Sequence, residues 1–398
     1  DNPYPVYAAL REAEPFKRMP DGSYFLTRHA DLVAVYRDAK VFSSDKQVEF
    51  GPKYNHAPFN QPPFAAPGGV APLFEHHTNS LVFNDAPRHT RVRRLIMGAL
   101  TRRAIEAMEP GLMQLVDSLL DKIEAQGGGD LIEDFASAIP VEIIGNLLGV
   151  PHADRGPLRD WSLAILGALE PVPTPEQHAA GNRSVTEMLA YLRTLVAARR
   201  QAPGDPERDV LTRLIQGEAS GDRLSEVELL QNCIFLLNAG HETTTNLIGN
   251  GLIALQEHPQ ARQFLHTALK QTEDDAAAQE AVLTHAVDEF LRFESSNQLG
   301  NRRAVKDTQV GGVALPAGTL VTLCIGAANR DPAQFADPEA LDIAREPNKH
   351  LAFGFGIHQC AGLSLARLEG RIAIGRFLQR FPDFSLSTAP TRGGRARF

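Results

Sequence analysis

The feature of this 398-residue chain that most constrains its fold is one long helical stretch, from about Ser225 to His258. Ser225 and Glu228 stand at the spacing of a capping box, "IFLL" and "LIGNGLIAL" supply apolar faces, and Pro259 stops the pattern. At a rise of about 1.5 Å per residue the helix is about 50 Å long, enough to cross a molecule of this size. Such a helix has to run through the core, with the rest of the chain packed around it. Its centre, "AGHETTT" (Ala239 to Thr245), is poor helix material: a glycine, a charge and three β-branched hydroxyl residues. Threonine hydroxyls that bond back to carbonyls one turn earlier would bend the helix and do nothing more. A carboxylate inside the core at Glu242, by contrast, is costly unless it has partners or work to do.

Most of the sequence between Leu81 and Phe293 repeats apolar residues at helical spacing, whereas β-like runs such as "GSYFLT" and "TLVTLCI" are few and short. The pattern predicts a mainly α protein with a small β region. No linker or fixed repeat divides 1–398, so a single domain is expected. Between Phe50 and His77 six prolines and no periodicity predict a long lid or binding loop, with Phe50, Phe59, Phe64 and Phe74 to bury. With 43% hydrophobic and 22% charged residues the chain can bury a large core, and no apolar run approaches the ~20 residues of a membrane span. A net charge of -8 argues against nucleic acid as a partner. Cys233, Cys324 and Cys360 are few, odd in number and far apart, which argues against a disulfide framework and for a reducing compartment, the cytoplasm.

Cys360 lies in "FGFGIHQCAG" (Phe353 to Gly362), where three glycines and two phenylalanines surround one sulfur. A buried structural cysteine needs no flanking glycines. A zinc site needs three more ligands, and His358 alone does not provide them; "GHETT" lacks the second histidine of a His-Glu-x-x-His site. A nucleophile wants a base, which His358 could be only if the loop folds back. A fourth reading is an axial thiolate to haem iron, with glycines that let backbone N–H groups turn toward the sulfur and Phe353 screening it from water.

The loop resembles the cysteine loop of the cytochrome P-450 family, Phe-x-x-Gly-x-His-x-Cys-x-Gly. Three further segments resemble that family's motifs in its order: "AGHET" (Ala239 to Thr243), "EFLR" (Glu289 to Arg292) and "NRDP" (Asn329 to Pro332). The resemblance implies a triangular-prism fold with a long central helix over a b-type haem. It also implies an enzyme that activates O2, inserts one oxygen atom into a small organic substrate, and takes electrons from NAD(P)H through a ferredoxin or flavodoxin and its reductase. By the same resemblance Cys360 is the metal ligand, and His89, Arg93, Arg302 and His358 bind the haem propionates, with Phe353 and Gly354 against the ring. Ala239 and Gly240 leave room for dioxygen, and Glu242 with Thr243 passes protons to it. Glu289, Arg292 and Arg345 form a structural ion-pair cluster. Phe83, Asn238, Ser296 and Asn297 are the expected substrate-pocket residues, where a substrate hydroxyl or amide would satisfy Ser296 or Asn297; capping of the preceding helix is the alternative for that pair.

The family resemblance leaves two other readings to compare. A peroxide-driven haem-thiolate enzyme would not need the Glu242–Thr243 pair, and a haem-binding sensor would not need the disrupted helix centre. From Ala86 to Ile105 six arginines (Arg88, Arg91, Arg93, Arg94, Arg102, Arg103) occur without an acid, and the segment Arg88 to Arg103 is the expected docking surface for an acidic ferredoxin. Acids from elsewhere in the fold could instead balance it.

Overall fold

In the computed structural model, which describes residues 2–53, 61, 64–66, 69–170, 173–218 and 221–393, the long helix forms where its end signals stand. The helices that position the site are α1 (Pro72–Asn79), α2 (Arg88–Ala99), α3 (Glu109–Gln126), α4 (Ala138–Leu148), α5 (Leu158–Gly167), α6 (Pro175–Gln201), α7 (Glu226–Glu257), α8 (Ala276–Phe293) and α9 (Leu363–Arg380). Both hydrogen bonds of the α7 capping box are made between Ser225 and Glu228, and a second box, Thr174 with Gln177, starts α6. Asp275 caps α8 by accepting from the backbone N–H groups of Ala277 and Ala278. Pro259 opens the helix that follows α7, so the chain turns at His258.

The β region is a five-stranded sheet of β1 (Phe16–Arg18), β2 (Tyr24–Leu26), β3 (Phe42–Ser43), β4 (Leu299–Ala304) and β5 (Leu320–Cys324), in the order β1-β2-β5-β4-β3. The two β-like runs of the sequence meet here: β2 pairs parallel to β5 with Tyr24 opposite Val321, and β4 lies antiparallel to β5 with Leu299 opposite Cys324. A mainly α fold with a small β region is thus what forms.

Three apolar cores are built. Leu229 to Leu237 of α7 pack with α2, α4 and α6; Leu247 to Leu255 of the same helix pack with α3, α8 and α9; the third core lies on the sheet. Between the first two, α7 buries Asn238, His241, Thr244 and Thr245. The stretch of poor helix formers therefore falls at the gap between two cores, where the helix is held at both ends by burial and its centre is free to carry polar groups.

The segment expected to be a long loop holds more structure than its prolines suggest. It contains the end of a helix at Lys46–Lys53, a hairpin of Ala65–Ala66 with Gly69–Val70, and α1. Pro72 sits in the first turn of α1, where its missing N–H costs nothing. Phe50, Phe64 and Phe74 cluster with ring centroids 4.8 to 5.9 Å apart, so three of the four phenylalanines bury one another. Phe59 lies outside the described residues.

Candidate active site

The cysteine loop connects the end of the sheet region to α9. The Cys360 N–H donates to the Phe353 carbonyl at 2.8 Å, closing the loop on itself. Gly356 has φ +74°, and a Cβ there would stand 2.6 Å from the Tyr36 carbonyl oxygen, so only glycine fits that turn. Gly354 is also left-handed, at φ +64°. Burial pushes the Cys360 thiol up, opposed by the Gly362 backbone N–H and by the charges of Arg93 and Arg367. These are donors and cations gathered around one sulfur, as thiolate ligation requires. Phe353 is half-buried and carries the Arg367 guanidinium over its ring at 5.1 Å. Arg367 is in turn held by Asp288 of α8, through Nε to Oδ1 at 2.8 Å and Nη2 to Oδ2 at 3.2 Å.

Above Cys360 opens a cavity of about 360 Å³, lined by α7 on one side and by the loop on the other. Ala239, Gly240, Thr243, Thr244 and Leu247 line it, the one face that α7 presents at spacings of three and four. Thr243 Oγ1 donates to the Ala239 carbonyl at 2.8 Å and Thr245 Oγ1 to the His241 carbonyl at 3.1 Å. The back-bonding expected of threonines is present, and it fixes the rotamer: with its hydrogen given to Ala239, the Thr243 hydroxyl presents lone pairs to the cavity. The missing side chain of Gly240, which lines the cavity beside Ala239, also matters for helix packing. A Cβ there would collide with Ile144 of α4, so this glycine serves the close approach of two helices. Glu242 does not line the cavity; its side chain is 17% exposed and lies beside His241. It is thus neither fully buried nor in contact with the reaction space, because it stands one residue, a turn of about 100°, from Thr243.

His89, Arg93, Arg302 and His358 all line the same cavity. The His89 and His358 rings approach to 4.1 Å between centroids, and neither nitrogen of His89 nor Nε2 of His358 has a hydrogen-bond partner. Burial lowers their pKa values to about 4 and about 2, with Arg302 and Arg93 adding repulsion. Among the described residues neither arginine pairs with a carboxylate, although burial disfavours the charge of both. Two guanidiniums and two imidazoles facing one cavity, neither guanidinium paired with a carboxylate among the described residues, fit a ligand that brings carboxylates of its own. The residues present therefore suit a haem with propionates at this edge and a sulfur ligand below.

Phe83, Asn238, Ser296 and Asn297 line the cavity as expected. Most of its other walls are apolar, including Val82, Leu166, Phe235 and Leu291. Asn238 is 4% and Ser296 6% exposed, and both polar atoms of Asn238, Oγ of Ser296 and Oδ1 of Asn297 are without protein partners. Ser295, not Ser296, bonds back to the end of α8, donating to the Leu291 carbonyl at 2.9 Å. The capping alternative for Ser296 is thereby answered by its neighbour.

Away from the cavity, Glu289 and Arg292 are both fully buried. Arg292 Nε and Nη2 donate to the two oxygens of Glu289 at 2.8 and 2.9 Å, and Arg345 Nε reaches Oε2 at 3.1 Å. Asn348 and the Asp342 N–H complete the carboxylate's shell. The arginine-rich segment is mostly neutralised: Arg88 and Arg91 pair with Glu228, and Arg94 with Glu218 and Asp222. The segment 86–105 holds no acid, but the chain entering α7 brings three. Arg102, 91% exposed with its own neighbour Glu106 as partner at 2.6 Å, and exposed Arg103 face solvent.

Residue patterns gave no warning of Asp288, Arg367 or Glu369. Asp288 was hidden beside the more obvious Glu289. Glu369 of α9 lines the cavity at 1% exposure, and burial raises its pKa well above the usual carboxylate range. No helix among the described residues is long and apolar enough to cross a membrane.

The comparisons with known proteins agree with this geometry. Residues 165–391 match the family described as Cytochrome P450. The vitamin D(3) 25-hydroxylase of Pseudonocardia autotrophica is 36% identical over 97% of this chain and 88% of that protein. The biotin biosynthesis cytochrome P450 of Bacillus subtilis is 34% identical over 97% and 91%. The crystal structure of P450BioI, in complex with hexadec-9Z-enoic acid ligated acyl carrier protein, superposes with a TM-score of 0.85 at 32% identity, covering 100% of this chain and 96% of that one. Kinship of this depth along nearly all of both chains makes this protein a member of the cytochrome P450 family, a monooxygenase that uses haem, O2 and electrons passed from NAD(P)H through redox partners.

Proposed function

We propose that Cys360 is the thiolate ligand of the haem, that His89, Arg93, Arg302 and His358 hold its propionates, and that the cavity oxidises an apolar organic substrate carrying a polar group. The observation that supports this most is the convergence of four donor side chains, without an anion among them, on a cavity whose floor is a cysteine ringed by cations. When bound, the haem supplies the activation of O2 from which one oxygen atom enters substrate and the other leaves as water. Phe353 and Arg367 shield the sulfur, and Asp288 fixes Arg367. Apolar walls exclude water. Asn238 offers a donor and an acceptor, and Ser296 and Asn297 offer a second polar point; a substrate with a hydroxyl or amide at either end satisfies groups that are otherwise buried unpaired.

Glu242, partly exposed, takes protons from the solvent side, and Thr243 presents its hydroxyl oxygen to the cavity, so the pair carries protons inward. A peroxide-driven reaction would not use them. Electrons arrive from an acidic ferredoxin or a flavodoxin docking near Arg102 and Arg103, and the unpaired cysteines suit work in the cytoplasm.

The test compares Cys360→His and Thr243→Ala with the parent. Cys360→His is expected to lose the red-shifted ferrous-carbonyl band and product formation together. Thr243→Ala is expected to keep that band and substrate affinity while NAD(P)H is consumed with peroxide in place of product. A Cys360→His protein retaining the band, or a Thr243→Ala enzyme as tightly coupled as the parent, would overturn the respective assignment.

A further inference from the structure

His241 sits between Gly240 and Glu242 at the centre of α7, and the roles assigned so far leave it idle. It does not line the cavity, it is 3% exposed, and neither ring nitrogen has a hydrogen-bond partner. Buried polar groups are nearly always paired, since an unanswered donor or acceptor loses its hydration for nothing. An imidazole in that state asks for a function.

Its charged neighbours come from three elements. On α7 itself, Glu242 Oε2 lies 4.0 Å from Nδ1, a gap that one water or a small ring rotation closes. From α5, Arg159 faces the ring and disfavours its charge; from the 131–136 turn, Glu133 does the opposite. Arg159 and Glu133 bind each other, Nη2 to Oε1 at 2.7 Å, and this pair reaches solvent with exposures of 32% and 53%. The charge of Glu242 is also felt at Arg159. The charges of the surface pair thus reach His241, which stands beside Glu242, the neighbour in sequence of Thr243.

We infer that His241 is a relay residue that recharges Glu242 with protons from the Glu133–Arg159 surface; the inference rests on the Glu242–Thr243 reading above. The ring starts with its proton on Nδ1. A proton from solvent beside the surface pair binds Nε2 as the Nδ1 proton passes to the Glu242 carboxylate, so neither an imidazolium nor an imidazolate builds up and the ring ends neutral as the other tautomer. One proton enters, one leaves, and no electrons move. Burial holds the imidazole pKa at about 4, so the ring works as a neutral tautomer carrier at pH 7 rather than as a cation.

The experiment uses the haem-loaded enzyme with its redox partners. His241→Phe and His241→Asn should lower kcat at least about tenfold and enlarge the solvent deuterium isotope effect, leaving the ferrous-carbonyl spectrum and substrate affinity unchanged. A second readout needs no turnover: in the diamagnetic ferrous-carbonyl form, the ¹⁵N signals of the His241 ring, assigned by their loss in His241→Asn, should shift on Glu242→Gln. If both His241 variants turn over at the parental rate while Glu242→Gln is slow, His241 is no relay and the acid–alcohol reading stands. If Glu242→Gln is itself at the parental rate, that reading falls first. If the His241 variants are slow but the ¹⁵N signals ignore Glu242→Gln, the ring acts through packing and the inference is overturned.

Discussion

The guanidinium of Arg292 gives all five of its hydrogens to named acceptors: two go to Glu289, and the others to the carbonyls of Asn329, Pro338 and Ala340. Lysine has three hydrogens on one nitrogen and cannot reproduce that fork. Arg292→Lys is therefore expected to leave buried acceptors unpaired at a cost of about 3–5 kcal/mol, read as a lower urea midpoint and a lower haem content per chain. His76 offers a prediction with a sign. Burial holds its pKa at about 4, below its usual 6.5, with the Gln231 hydrogen bond opposing. Between about pH 6.5 and 4 the unfolded chain binds a proton that the folded chain refuses, so stability falls as pH falls through that window, by on the order of 3 kcal/mol at its lower end. His76→Gln should flatten this part of the curve of unfolding free energy against pH; an unchanged slope would assign the acid sensitivity to other groups. The spacing of Glu289 and Arg292 was visible in the chain, but spacing alone describes a surface pair of small worth. Its burial, and the three carbonyl acceptors, come from a segment 37 to 48 residues away.

At the scale of elements, both ends of α7 were legible to within a residue because capping boxes and Pro259 act locally. What α1 does was not legible, since its partners lie on α6 and α7. Asn182 accepts from the Leu73 N–H at 3.0 Å, Gln231 joins His76 to Glu75, and Asn232 receives the Leu81 N–H at 2.9 Å while donating to the Asn79 carbonyl at 3.2 Å. Polar side chains of two long helices thus pin the cavity's cover. Asn232→Ala is expected to free the backbone of 79–81 at a cost of about 1–3 kcal/mol. Hydrogen exchange should quicken over 72–83 while the middle of α6 keeps its protection; equal acceleration in both would show a global loss of stability instead. The apolar ends of α7 and the polar middle between them also explain how the helix tolerates its threonines: the adjoining cores hold it from both sides.

For the whole molecule, charge has to be judged after folding. Arg88, Arg91 and Arg94 are answered by Glu218, Asp222 and Glu228, so substituting them is expected to lower stability rather than partner affinity. Arg102→Glu with Arg103→Glu should slow reduction by an acidic ferredoxin at low ionic strength, with a deficit that shrinks toward 0.5 M salt; stopped-flow reduction at two salt concentrations checks it, and equal rates would place docking elsewhere. The chain by itself determined the α-rich class, the central helix and its limits, the sulfur loop and the residues that gather at the cavity, because each is written in local spacing, in end signals or in a motif that resembles a family. Only the tertiary structure decided that Gly240 receives Ile144, that Glu242 is not among the residues lining the cavity, that three arginines are neutralised, and that Asp288 and Arg367 brace the cysteine loop. Those outcomes depend on which side chains from distant segments arrive at the same place, and burial and pairing exist only once the chain has folded.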